Sequence, residues 1–322
     1  MLTIAAMSAS CNKGGDGPDP NPPADDMMDV VVYTTSSETT VADEEVTYRK
    51  ICAMTPDGTR KVVLHDGSKF DMKYKDASRA ALDPTGKKLV LQGGDHYIWE
   101  YDLTTKQHRT VIDETPDVNV DDPSYSPDGG KMLYVNWASG DILETVMLNG
   151  TNRTPLTNDD YALGRQNYTP DGTKIVAANW LSWGYICTFN ANGTGGRKIL
   201  TASATESLDC PWPVSNSRII YAHYEGVDKV GLCTIRACNL DGTGSATLGT
   251  PGTGDCTLDY LSCNAAGTLI GYYEMSASTN KYVVRQLTAT SLSTIVSTTT
   301  EGTRFRFGRI KKSIFDTAPV MP

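Results

Sequence analysis

One phrase recurs along this chain at an interval of about 43 residues, and that recurrence limits the fold more than any other feature. ALDPTGKKLVLQ (81–92), SYSPDGGKMLYVN (124–136) and NYTPDGTKIVAAN (167–179) are close copies. PWPVSNSRIIYAH (211–223) is a degenerate one, and SCNAAGTLIGYYE (262–274) keeps the glycine and the apolar run. The turn anchors Gly86, Gly129, Gly172, Asn216 and Gly267 lie 43, 43, 44 and 51 residues apart.

Each part of the phrase has a physical meaning. Leu82, Tyr125, Tyr168, Trp212 or Cys263 ends a strand. A Pro-Asp-Gly type turn follows, in which proline presets φ and glycine accepts a positive φ. An alternating apolar run makes a second strand. About ten residues later a third strand ends in an Asn-Gly or Asp-Gly turn, as in MLNGTNRTPLT and CNLDGTGSATL, and a short fourth strand follows. Four local antiparallel strands per repeat predict an all-β, six-bladed β-propeller. Blades two to six span about 77–113, 120–158, 163–201, 208–250 and 256–298. Blade one has strands at 29–37 and within 46–64 but no inner strand. TRFRFGRIKKSIF (303–315) has no hairpin partner of its own, so the C-terminal strand is expected to close the ring. Residues 311–315 are left without a role. The expected division is a signal or lipobox segment (1–11), a tether (12–28) and the propeller (29–318).

The phrases YSPDGGKMLYV and YTPDGTKIVAA, with the downstream LNGTNRTPLT and NANGTGGRKIL, resemble the repeat of TolB-type, WD-repeat-like propellers. The resemblance covers about 27–315. It implies a protein-binding propeller of the bacterial periplasm. TolB itself carries an α/β domain ahead of its propeller, whereas only a leader and a tether precede the first blade here. A stand-alone TolB-like lipoprotein is the expectation.

The first ten residues, MLTIAAMSAS, end in small residues and run into Cys11. That pattern points to lipidation of Cys11, in the manner of a bacterial lipobox. The Gly-, Pro- and Asp-rich stretch 12–26 cannot form a core and suits a tether. With 29 Lys and Arg against 38 Asp and Glu, the net charge is −9, which disfavours nucleic acid and anionic membranes as general partners. A monomer in the cell envelope follows, on the periplasmic side or the surface, touching the membrane only through its anchor. Cys52 and Cys187 occupy equivalent strand positions in two repeats and read as core residues. The other cysteine spacings lack the histidines of a metal site.

The sequence offers little chemistry. There is no G-x-S-x-G elbow and no phosphate-binding glycine loop. His65, His96, His108 and His223 fall in different blades or strand positions, so a shared metal is not expected. No cofactor is expected either. Trp137, Trp180, Trp183, Tyr221 and Tyr224 sit at or just after the ends of second strands. They are either a partner or glycan face, or packing between blades. Counting three residues back from the apolar residue before each turn gives Arg79, Asp122, Arg165, Asp209, Tyr260 and Arg304. These should line the axis as a ring of mostly alternating sign. That ring is either a network holding the inner strands in register or a mouth for a charged peptide end, an ion or a sugar acid, with arginines as forked donors. The function expected is a non-catalytic scaffold for another envelope protein. A polysaccharide lyase or hydrolase, or a sugar or peptide sensor, is the alternative.

Overall fold

A computed structural model describes residues 26–41, 44–71, 74–94, 97–113, 119–158, 162–229, 231–251, 256–276 and 280–321. Cys11 and His96 lie outside these residues, as does the boundary between leader and tether.

The chain forms six four-stranded antiparallel sheets. Blade two runs β4 (Arg79–Leu82), β5 (Lys88–Gln92), β6 (Ile98–Asp102) and β7 (His108–Ile112). Blade three is β8 (Val120–Tyr125), β9 (Lys131–Asn136), β10 (Ile142–Met147) and β11 (Thr154–Pro155). Blade four is β12 (Leu163–Tyr168), β13 (Lys174–Asn179), β14 (Tyr185–Asn190) and β15 (Arg197–Thr201). Blade five is β16 (Ser207–Pro213), β17 (Arg218–Tyr224), β18 (Cys233–Asn239) and β19 (Ala246–Gly249). Blade six is β20 (Thr257–Cys263), β21 (Leu269–Met275), β22 (Asn280–Leu287) and β23 (Leu292–Thr299).

Blade one joins the two ends of the chain. Its order is β24 (Thr303–Lys311), β1 (Met27–Val41), β2 (Glu44–Met54) and β3 (Lys61–Asp66). The inner strand is therefore C-terminal, as the sequence implies, and it packs against both β4 and β20 to close the ring. Residues 311–315 also gain a role. A helix, α1 (Lys312–Thr317), buries Phe315 between blades one and two. The chain then lies along the outer edge of β3, where Val63 N–H donates to Pro319 O at 2.8 Å and Val62 pairs with Val320. A sheet edge that would otherwise be open is covered.

The core is divided among the blade interfaces. Six apolar clusters occur, one between each pair of neighbouring blades, because alternate residues of each strand face opposite sides of the sheet. Cys52 and Cys187 are fully buried in two of these interfaces. Phe305 of β24 stacks on Tyr282 of blade six at 4.1 Å and on Tyr33 of blade one at 5.4 Å. Among the repeated turns, the one at Gly86 packs tightly against the closing strand. At Gly86 (φ 65°), a Cβ would fall 2.8 Å from Ile310 Cα and from Lys311 N of the closing strand.

Candidate functional site: the axial cavity and its mouth

Five of the six inner strands carry the same irregularity. In β8, β12, β16, β20 and β24 the ladder skips, so two residues oppose one on the neighbouring strand. This is a β-bulge, which re-aims side chains. Its first residue is left-handed although none is glycine: Asp122 (φ 54°), Arg165 (57°), Cys210 (50°), Tyr260 (53°) and Arg304 (57°). Such a backbone costs on the order of 1–3 kcal/mol per non-glycine residue. Repetition around the axis marks it as a built feature. Proline follows at Pro123 and Pro211, where no ladder N–H is needed. In three blades an aspartate caps the bulge: the N–H groups of Asp122, Cys210 and Tyr260 donate to Asp121, Asp209 and Asp259 at 3.0, 2.6 and 3.0 Å. In blade two, β4 pairs with β5 without a shift, and Arg79 reaches the axis from a regular strand.

The bulge residues and Arg79 line one axial cavity of ≈ 50 Å³. It brings together Arg79, Asp122, Arg165, Tyr260 and Arg304 from five blades. Blade five departs from the expected ring. Its inner strand runs on to Pro213, which pairs with Ile219, so Trp212 is not the last residue before the turn. The count shifts by one, and Cys210 takes the ring position. Asp209 is the counterpart of Asp121 and Asp259. It is fully buried, bonded to Cys210 N–H and paired with Lys229 Nζ at 2.9 Å. The ring therefore reads plus, minus, plus, neutral, neutral, plus, and does not alternate through blade five.

Charge is organised unevenly around the cavity. Arg79 Nη1 lies 3.0 Å from Asp121 and 3.5 Å from Asp122. Arg165 Nη2 lies 2.6 Å from Asp259 Oδ1, and its guanidinium sits 5.5 Å from the Tyr260 ring centre. Burial opposes the charge of both arginines. Asp122 and Asp121 nevertheless hold Arg79 above the ordinary guanidinium pKa, and Asp259, Cys210 and Asp209 do the same for Arg165. Arg304 and Arg306 differ. Among the described residues no carboxylate lies within ion-pair distance of either. Arg306 donates to Asn167 Oδ1 at 2.9 Å and lies 5.0 Å from the Trp212 ring centre. Burial pushes both guanidinium pKa values down, with Arg79 adding to the effect at Arg304.

Asp209, Cys210 and Asp259 bring three donor atoms within 4.8 Å of one another, the spacing of a metal site. The protein's own cations occupy the carboxylates, through Lys229 and Arg165. Burial and Asp209 push the Cys210 thiol well above its usual pKa, so it is not a ready thiolate. The donor set does not fit a divalent ion.

The loops from second to third strands surround the mouth of the cavity. Trp137, Trp180 and Trp183 share a cleft of ≈ 120 Å³ with Arg79, Asp122 and Arg165. Trp137 and Trp180 meet edge to face at 4.7 Å. Lys229 Nζ lies 4.2 Å from the Trp183 ring centre, so the cation bonded to Asp209 also touches the mouth. The same loops expose Leu181 (67%), Val227 (52%) and Leu232 (39%). Tyr221 and Tyr224 do not join this face. Both lie within β17 and are buried, Tyr221 bonding Ser245 Oγ at 2.7 Å. Tyr224 Oη accepts from Leu258 N–H at 2.9 Å across the blade interface. Period-two alternation turns them into the sheet packing, which is the packing alternative for these two residues. Opposite the tryptophans the mouth widens into a funnel of ≈ 1020 Å³ beside Tyr260 and Arg304. One wall is the β1–β2 hairpin, which continues past Thr34, the last β1 residue paired to β24, as far as Val41.

Two histidines expected to stay apart do meet. His65 Nε2 and His108 Nε2 are 2.9 Å apart between blades one and two, far from the axis. Phe70 stacks on His65 at 4.8 Å and Tyr74 on His108 at 4.0 Å. Burial lowers the pKa of His65 to about 3 and of His108 to about 4, so both rings are neutral at pH 7. Nothing in the spacing reveals this pair, because it depends on how two blades face each other.

No protein-family model and no curated protein sequence matches the chain. Solved structures match by fold. TolB from Acinetobacter baumannii superposes with a TM-score of 0.62 at 14% identity, covering 87% of this chain and 66% of that one. An oligogalacturonate lyase in complex with manganese gives 0.56 at 14% identity, with 82% and 84% covered. A chain from a nidogen/laminin complex gives 0.63 at 12% identity, with 88% and 98% covered. The fold is that of a six-bladed propeller of the TolB type. At these identities the likeness extends to the fold alone, and the neighbours include both TolB and a lyase.

Proposed function

We propose that this chain is a non-catalytic binding module of the bacterial cell envelope, anchored through a lipid on Cys11, whose partner is another envelope protein. The observation that carries this reading is the mouth. Three tryptophans and exposed Leu181, Val227 and Leu232 gather on the loops of three successive blades, beside a charged axial cavity. The tryptophans are half-buried, Trp137 packing against the core between blades three and four, and half-buried aromatic with exposed aliphatic side chains rimmed by charge suit a protein-binding face. The cavity argues against catalysis in its own chemistry. The carboxylates of Asp121, Asp122, Asp209 and Asp259 each sit against an arginine or lysine, which leaves no free base for proton abstraction.

The test uses the full chain in a bacterial host. Wild-type protein should sediment with membranes and Cys11→Ser should be released; equal partitioning ends the lipoprotein reading. Covalent capture in intact cells should yield one envelope protein that Leu181→Asp and Trp183→Ala both lose. Production of unsaturated oligosaccharides from polygalacturonate would instead establish the lyase reading, which the manganese-bound neighbour brings into view.

A further inference from the structure

Of the four arginines lining the axial cavity, Arg79 and Arg165 are ion-paired, while Arg304 and Arg306 have no carboxylate partner among the described residues. Arg306 bonds Asn167 and lies over Trp212, and the one carboxylate that acts on it, Asp122 across the cavity, is beyond ion-pair distance and already paired with Arg79. A buried cation without a contacting counterion is costly, and at Arg304 and Arg306 the distant attraction of Asp121 and Asp122 does not offset the desolvation. Here it recurs at two positions of one strand that point into the same cavity.

We propose that the axial cavity receives the free C-terminal carboxylate of a peptide chain, held by Arg304 and Arg306. This rests on the protein-binding reading and adds to it the group that the partner presents.

Three features select this ligand. The first is charge. Five cationic side chains (Arg79, Arg165, Lys229, Arg304 and Arg306) meet four carboxylates (Asp121, Asp122, Asp209 and Asp259) in and around the cavity. The excess is one positive charge, which suits a monoanion better than a phosphate dianion. The second is size. A space of ≈ 50 Å³ holds on the order of four water-sized groups, which matches a carboxylate and its α-carbon and is less than the ring of a sugar. The third is access. Tyr260 and Arg304 belong to both the cavity and the ≈ 1020 Å³ funnel above it, so a chain can approach along the β1–β2 hairpin and place only its end on the axis. Planar guanidinium forks match a carboxylate's two oxygens.

The full-length protein is titrated with tetraglycine at millimolar concentration, by thermal shift and by calorimetry. Tetraglycine with a free C-terminus should bind and raise Tm. Its C-terminal amide should bind at least about tenfold more weakly, as expected when a charge-assisted hydrogen-bond pair is lost. Arg306→Met should abolish the difference between acid and amide while leaving the Tm of the free protein unchanged or higher, since Asp122, the carboxylate that Arg306 acts on, keeps Arg79 as its partner. Arg304→Met, nearer solvent, is the second variant should Arg306→Met not fold, and it should reduce the same difference. Equal binding of acid and amide, no binding of the acid, or a loss of stability without loss of binding in both variants would overturn the proposal. So would tighter binding of inorganic phosphate or of galacturonate than of tetraglycine. Failure of the broader reading is separate: it would appear as unchanged partner capture by Leu181→Asp and Trp183→Ala, neither of which lines the axial cavity that holds Arg304 and Arg306.

Discussion

Arg165 of blade four and Asp259 of blade six meet at 2.6 Å with blade five between them. The bond spans the axis and skips a neighbour, so it fixes the ring's diameter as well as its local register. Arg165 also lies 4.0 Å from Asp209. Removing one partner from such a network leaves buried charge uncompensated, at a cost of about 3–5 kcal/mol. Arg165→Ala is therefore expected to lower the urea midpoint strongly, in contrast to Arg306→Met. If equilibrium unfolding of Arg165→Ala matches wild type, the network is not structural.

The ring closes through aromatic packing as well as strand pairing. Phe305 is 1% exposed and stacks between blades six and one. Phe305→Ala should cost about 3–5 kcal/mol in urea denaturation, the usual loss for a buried phenylalanine. Leu181→Asp, at a residue 67% exposed, should change stability by less than about 0.5 kcal/mol. Equal losses for the two would show that closure does not depend on the β24 interface.

The His65–His108 pair predicts how stability depends on pH. Burial depresses both pKa values, to about 3 and about 4, against the ordinary 6.5. Between these values and 6.5 the unfolded chain binds protons that the folded chain does not, so stability rises with pH there. The contribution is complete above pH 6.5 and is lost as pH falls toward 4 and then 3. His108→Phe should flatten the slope between pH 4 and 6.5, read from Tm at half-unit steps. An unchanged slope would place the acid sensitivity elsewhere.

All seven cysteines of the propeller are buried. Burial raises the thiol pKa to about 11 at Cys52 and about 12 at Cys187, Cys238 and Cys263. The Cys233 and Cys256 thiols are hydrogen-bonded to each other across blades five and six, which raises the Cys233 pKa. In a Cys11→Ser background, a thiol reagent at pH 8 should label none of them in the folded protein and all seven in urea. Fast labelling of even one would mean that its blade interface opens under native conditions.

The sequence by itself determined the blades. Each Pro-Asp-Gly or Asn-Gly turn joins strands only a few residues apart, so turn chemistry and period-two alternation encode the hairpins locally. It also placed the inner strand of blade one at the C-terminus, since one unpartnered strand faced one missing position. The tertiary structure alone decided what meets at the axis. Left-handed bulges at Asp122, Arg165, Cys210, Tyr260 and Arg304 carry no glycine to announce them. A single residue of extra strand in blade five exchanged Asp209 for Cys210, because a shift of one residue reverses which side chain faces inward. The bond from Arg306 to Asn167, the bond from Arg165 to Asp259 and the meeting of His65 with His108 all join residues from different blades. Their distances follow from the stacking of one sheet on the next, which no interval along the chain encodes.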